Sequence, residues 1–174
     1  HYIEGGWPGS NPKDAEFFAR AGRMNLGATK LAAFGSTRHK HTLCEEDTNL
    51  RALLEANTPA VTLVGKSWDY HVSHVLDTTP EENLAMIRDS VAWMKAQGRE
   101  VFFDAEHFYD GFLANPEFAL ATLRAAAEAG ADWLVLCETN GGQVPRQVTD
   151  AVRAVRAALP AAVRLGIHAH NDSD

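Results

Sequence analysis

Short apolar runs alternate with longer amphipathic stretches along the whole chain. The runs are YIEGG at 2–6, KLAAFGS at 30–36, AVTLVGK at 60–66, EVFFDAE at 100–106, WLVLCET at 133–139 and VRLGIHAH at 163–170. Each has the length and the Val, Leu or Phe content of a strand, and they recur every 30–40 residues or so, as the strands of successive βα units do. The stretches between them carry helix punctuation. NPKDAEFFARAG, at 11–22, starts on Asn11 and Pro12 and stops at Gly22. TPEENLAMIRDSVAWMKAQG, at 79–98, has Thr79 as cap, Pro80 next, Glu82 three residues after the cap and Gly98 at its end. NPEFALATLRAAAEAG, at 115–130, repeats the scheme with Asn115, Pro116 and Gly130. Cap, proline and glycine suit the unpaired N–H and C=O groups of helix ends. Segments 46–57 and 144–158 are also helical in pattern, with weaker punctuation.

Strand–helix alternation predicts a parallel sheet whose strands are buried on both faces. An open doubly wound sheet and a (β/α)8 barrel both satisfy it. No G-x-G-x-x-G follows any strand, which weakens the first. VGKS at 64–67 resembles the tail of a P-loop, but the glycine that loop requires is replaced by Ala60. Glu4, Ser36, Lys66, Glu106, Thr139 and His170 all fall at or just past the C-terminal ends of their strands, which in a barrel converge on one mouth. The expected fold is therefore a TIM barrel. Six strands are visible where a barrel has eight, and a whole barrel takes about 250 residues. Residues 1–174 thus read as the central portion, strands two to seven, of a single catalytic domain, a partial barrel lacking the first and last strands.

Composition narrows the partners. A formal net charge of −7 argues against nucleic acid, which needs a basic patch. No apolar run approaches the ~18–20 residues of a membrane span, and HYIEGGWPGS has no signal-peptide character. Cys44 and Cys137 lie far apart in no metal-like spacing and read as reduced, Cys137 as a small apolar residue in a strand; the expected compartment is cytoplasmic.

The candidate chemistry sits in LGIHAHND, at 165–172. On a strand the side chains alternate, so Leu165, Ile167 and Ala169 face the outer helices while Gly166, His168 and His170 face the barrel interior. Two imidazoles on one rigid face suit a divalent metal ion; the alternative is two ordinary histidines, one bonded to a carboxylate and one exposed. Asn171 and Asp172 could add an oxygen ligand, orient a ring or form a turn. Mixed nitrogen and oxygen ligation leaves Mg²⁺, Mn²⁺ and Zn²⁺ open. By the same alternation Asp104 and Glu106 face inward and Phe103 and Ala105 outward, and inward carboxylates are costly unless paired or used. Arg38 and Lys66 could meet a carboxylate or a phosphate. His71 and His74 fit a helix surface or loop better than a ligand role, and Trp68 and Trp93 fit packing better than cofactor contact.

Several stretches together resemble one family. YIEGGWPGSNPKDAEFF, KLAAFGSTR, TLVGKSWDYHV, VFFDAEHFYDGF, LCETNGG and LGIHAHND are similar to the catalytic barrel of the 2-isopropylmalate, homocitrate and citramalate synthases, which has hydroxymethylglutaryl-CoA lyase as a relative. Within it they most resemble the long-form citramalate synthase branch. The resemblance spans nearly the whole chain, and its first and last motifs are the most specific. It implies a metal-dependent Claisen condensation of acetyl-CoA with a 2-oxo acid, pyruvate, giving citramalate, by a homodimer. It makes His168 and His170 metal ligands on strand seven, and Glu4 the strand-two glutamate that pairs with a strand-one arginine. It puts Glu106 in the site, in proton transfer or in positioning the hydrolytic water; the alternatives are that Glu106 orients a histidine or pairs with Lys66. It makes Thr139, with Asn140 beside it, a ligand for the oxo-acid carboxylate, although NGG also reads as a tight turn. The family's strand-one arginine and metal-binding aspartate have no counterpart here. Lyase or aldolase chemistry on the same fold, another synthase of the family, and an inactive barrel fragment are the competing expectations.

Overall fold

A computed structural model of the chain describes residues 1–170. Asn171 and Asp172, offered above as an additional ligand or a turn, lie outside the described residues.

The elements alternate strictly until the third strand: β1 (Tyr2–Glu4), α1 (Pro12–Ala21), β2 (Lys30–Ser36), α2 (Thr48–Glu55) and β3 (Ala60–Lys66). Two helices then follow β3, α3 (Asp69–His74) and α4 (Pro80–Ala96), and two follow β4 (Glu100–Glu106), α5 (Phe108–Ala114) and α6 (Pro116–Glu128). Strand β5 (Trp133–Glu138), α7 (Pro145–Ala158) and β6 (Arg164–Ala169) complete the series. The strands form one parallel sheet in sequence order, β1 to β6, as a TIM barrel builds it. This is a partial (β/α) barrel with its helices packed on one face of the sheet.

The helix starts follow the punctuation. The Asn11 side chain accepts from the N–H of Lys13 and Asp14, that of Thr79 from Glu82, and that of Asn115 from Phe118. Gly98 and Gly130, at the ends of α4 and α6, take positive φ of 75° and 95°, a region glycine enters without a Cβ clash. Helices α3 and α5 were not expected. They have six and seven residues, too few to show a helical period in the sequence.

Alternation splits the sheet into two faces. Leu31, Ala33, Val61, Leu63, Val101, Phe103, Ala105, Leu134 and Leu136 point to the helices and are buried against side chains such as Phe18, Leu53, Ile87, Met94, Leu123 and Val155. The opposite, inner face begins with an aromatic layer at the N-terminal ends of the strands. Tyr2 meets Phe102 edge-on at 4.9 Å, Phe102 stacks on Trp133 at 5.9 Å, and Arg164 lies 4.8 Å from the Trp133 ring. Strands β2 to β5 are largely buried. The outer strands differ from expectation: β1 and β6 are mostly exposed, with Ile167 at 56%, because among the described residues each has a neighbouring strand on one side only.

Candidate active site

Register carries the expected residues to one place. Thr62 pairs with Phe102, Val64 with Asp104 and Lys66 with Glu106, while Asp104 pairs with Val135, Val135 with Gly166 and Cys137 with His168. Residues of one pairing row share a face. Glu4, Thr62, Lys66, Asp104, Glu106, Cys137 and His168 therefore stand together on the inner face, and His170 follows His168 by one strand repeat.

The two imidazoles lie side by side. Their ring centroids are 5.3 Å apart and their planes differ by 13°. His168 Nδ1 is 3.8 Å from Asp104 Oδ2. Imidazole nitrogen, carboxylate oxygen and the Cys137 sulfur form a donor set that fits a divalent cation: one ligand atom each from Asp104, Cys137 and His168 lies within 4.8 Å of the others. Asp104 is buried. Burial, reinforced by the nearby carboxylate of Glu4, raises its pKa from the ordinary value to about 6. Glu4 accepts from the Thr62 hydroxyl at 2.8 Å.

Glu106, at the end of β4, is ion-paired with Lys66 at the end of β3, so the pairing weighed from the sequence is present. The pair borders a cavity of about 440 Å³ that Trp7, Ser36, Arg38, Val64 and Met86 also line. Arg38 is not available to a ligand as a free cation. Its guanidinium is buried and donates to Glu82 at 2.8 Å and to Asp89 at 2.8 and 3.1 Å.

Past β4 the chain turns through His107, in the left-handed region at φ 55° and ψ 33°. Its N–H donates to the Thr139 hydroxyl oxygen at 3.0 Å, and its Nδ1 lies 3.1 Å from Asp110 Oδ2. The same Asp110 oxygen accepts from Asn140 Nδ2 at 3.0 Å. Thr139 and Asn140 are thus joined to the loop that follows Glu106. The turn after them is closed by Gly142 N–H donating to the buried Glu138 carboxylate at 3.1 Å. Both readings of NGG, a tight turn and a set of donors, are compatible with this geometry.

Two residues gain weight over the sequence reading. Cys137, read there as an apolar filler, sits on the inner face; its shared alternation with Thr139 was the available signal. Asp110 had no signal, because the bonds that make it a hub depend on the His107 turn. His71 and His74 lie on α3, as a helix-surface role required. The His71 ring meets that of His107 at 4.4 Å, and burial followed by the nearby His107 lowers its pKa. Trp68 packs against Tyr70 and His71, and Trp93 against the core. Cys44 and Cys137 are both unpaired thiols. No helix among the described residues is long and apolar enough to cross a membrane.

The chain is 52% identical over 174 residues to the (R)-citramalate synthase of Aquifex aeolicus, covering all of this chain and 33% of that protein. It is 53% identical over 173 residues to the (R)-citramalate synthase of Streptomyces coelicolor, covering 99% of this chain and 32% of that one. It spans about a third of the length of these relatives. Among solved structures, the HMG-CoA lyase of Brucella melitensis shares the fold at a TM-score of 0.74 and 17% identity, over 98% of this chain and 59% of that one. The family model described as HMGL-like matches residues 1–174, the whole of the chain, and the chain belongs to that family.

Proposed function

We propose that residues 1–174 supply strands two to seven of an eight-stranded barrel that condenses acetyl-CoA with pyruvate to give citramalate. The observation that carries this reading is identity above half, along the entire chain, to proteins named (R)-citramalate synthase. That span includes every strand end described above. The 2-isopropylmalate synthases are more distant, at 27% to 34% identity.

In the overall reaction the methyl carbon of the acetyl group bonds to the ketone carbon of the oxo acid, and water cleaves the thioester to release CoA. His168 and His170 would hold a divalent cation, Mg²⁺, Mn²⁺ or Zn²⁺, which when bound supplies Lewis-acid polarisation of the ketone. Thr139 would bind the oxo-acid carboxylate. Its oxygen already accepts from His107 N–H, so its own proton remains to donate. Asn140 uses one amide proton on Asp110 and retains the other. Glu106 is the group for proton transfer at the acetyl methyl or for holding the hydrolytic water, with Lys66 keeping the carboxylate in place. The cavity beside that pair gives the thioester a position next to Glu106. Glu4 orders the inner wall through Thr62.

Incubating the purified protein with acetyl-CoA, a divalent metal and pyruvate tests this. Free thiol release together with citramalate identified by mass is the expected result. Release of CoA with 2-oxoisovalerate but not with pyruvate would replace the substrate, and cleavage of hydroxymethylglutaryl-CoA without condensation would replace the reaction.

A further inference from the structure

We propose that the space between α5 and the start of α7 is a binding site for a small neutral primary carboxamide. It is a cavity of about 130 Å³ among the helices, and none of the strand-end residues described above lines it.

Two side-chain oxygens carry the proposal. Tyr109 Oη and Gln143 Oε1 are both buried and have no hydrogen-bond partner among the described residues, and both residues line this cavity. Buried polar atoms are bonded in the large majority of cases, so two orphans lining one cavity point to an occupant. Tyr109 is 1% exposed on α5, and Gln143 stands in the turn that leads from β5 to α7. Burial pushes the Tyr109 hydroxyl up to about 12, so it keeps its proton as a donor. Gln143 Oε1 is an acceptor. The pair asks for a molecule with a carbonyl acceptor and an N–H donor side by side. In a primary carboxamide the carbonyl oxygen accepts from Tyr109 and the NH2 group donates to Gln143.

Charge and size narrow the class. The other polar groups at the cavity are engaged: Gln147 Oε1 accepts from Val144 N–H at 3.0 Å, and the Asp150 carboxylate lies 3.7 Å from Arg146 and 3.5 Å from Arg153. With no unpaired charge to meet an ion, a neutral ligand is favoured. Phe112, Leu113 and Ala151 supply apolar wall for a short alkyl group. An occupant would bridge the same two segments that the His107–Thr139 and Asp110–Asn140 bonds join, since Tyr109 lies between His107 and Asp110 and Gln143 follows Asn140 closely.

Saturation-transfer NMR on the purified protein with propionamide is the test. Butan-2-one, which has CH3 in place of NH2, is the comparison. Saturable transfer to propionamide, with butan-2-one binding about threefold or more weakly, is the expected result. Tyr109→Phe and Gln143→Leu should each raise the propionamide Kd about three- to tenfold. Tm gives a second readout. Without ligand, Tyr109→Phe should melt no lower than the wild type, because the hydroxyl it loses has no partner inside the protein. Should Gln143→Leu fail to fold, the ring-preserving Tyr109→Phe decides. Equal binding of the two probes, undiminished binding in Tyr109→Phe, or no saturable transfer, as when water alone fills the cavity, overturns the proposal. So does a marked fall in the Tm of ligand-free Tyr109→Phe. The readouts do not depend on turnover, so failure of the citramalate assay would leave it standing.

Discussion

The backbone N–H of His107 and the side-chain oxygen of Thr139, 32 residues apart, are 3.0 Å from each other, and their bond ties the end of β4 to the end of β5. It holds His107 in a left-handed turn that costs a non-glycine residue of order 1–3 kcal/mol. Thr139→Val keeps the shape and removes the acceptor. It should destabilise the protein by about 1–3 kcal/mol, while Thr139→Ser costs less. Urea midpoints of the two variants check this, and a Thr139→Val protein as stable as the wild type would mean the bond is idle.

Glu106 and Lys66 should separate in kinetics. Glu106→Gln is nearly isosteric and removes the group that moves a proton, so condensation should fall about 10²–10⁴-fold in kcat. Lys66→Met leaves the carboxylate in place and should cost less. Comparable losses in both variants would indicate that the ion pair, rather than the carboxylate, is the functional unit.

Asp47 governs a pH response. Burial works against its charge, but the N–H groups of His39 and Leu50 and the His39 ring outweigh it and hold the carboxyl below its ordinary value. A carboxylate lowered by folding stabilises the native state above the unfolded value, near pH 4, and loses that contribution as pH falls through the folded value. Asp47→Ala, which also removes the α2 cap, should cost about 1–2 kcal/mol at pH 7. The gap between variant and wild type should narrow at pH 3. A gap of the same size at both pH values contradicts the assignment.

Two glycines form a matched pair. A Cβ on Gly111 would lie 2.1 Å from the Ser67 carbonyl oxygen and 2.9 Å from Trp68 Cα, forcing α5 away from the end of β3. Gly111→Ala should therefore destabilise by about 1–3 kcal/mol or more. A Cβ on Gly142 would meet nothing within 4 Å, and Gly142→Ala should change stability by no more than about 0.5 kcal/mol. Equal melting temperatures for the two variants would contradict the close packing of α5.

What the sequence reveals depends on range. All six strands were legible, because apolar runs of strand length and the helix caps between them are local signals, and alternation within each run then assigned its faces. The inward direction of Asp104, Glu106, His168 and His170 followed from the same alternation. The short helices α3 and α5 escaped because one or two turns carry no period. The Arg38 pairs with Glu82 and Asp89 escaped because they span 44 and 51 residues. The Asp110 hub depends on a single left-handed residue. Cys137 is buried in its strand, as its reading for size required, while its alternation with Thr139 put it on the inner face beside the polar groups.

Calorimetric titration of the metal-stripped protein with Mn²⁺ tests the central claim, that the inner face of β6 holds a divalent ion through His168 and His170. Saturable binding in the wild type, weakened about tenfold or more in both His168→Ala and His170→Ala, is the expected result. Undiminished binding in the double variant would contradict it.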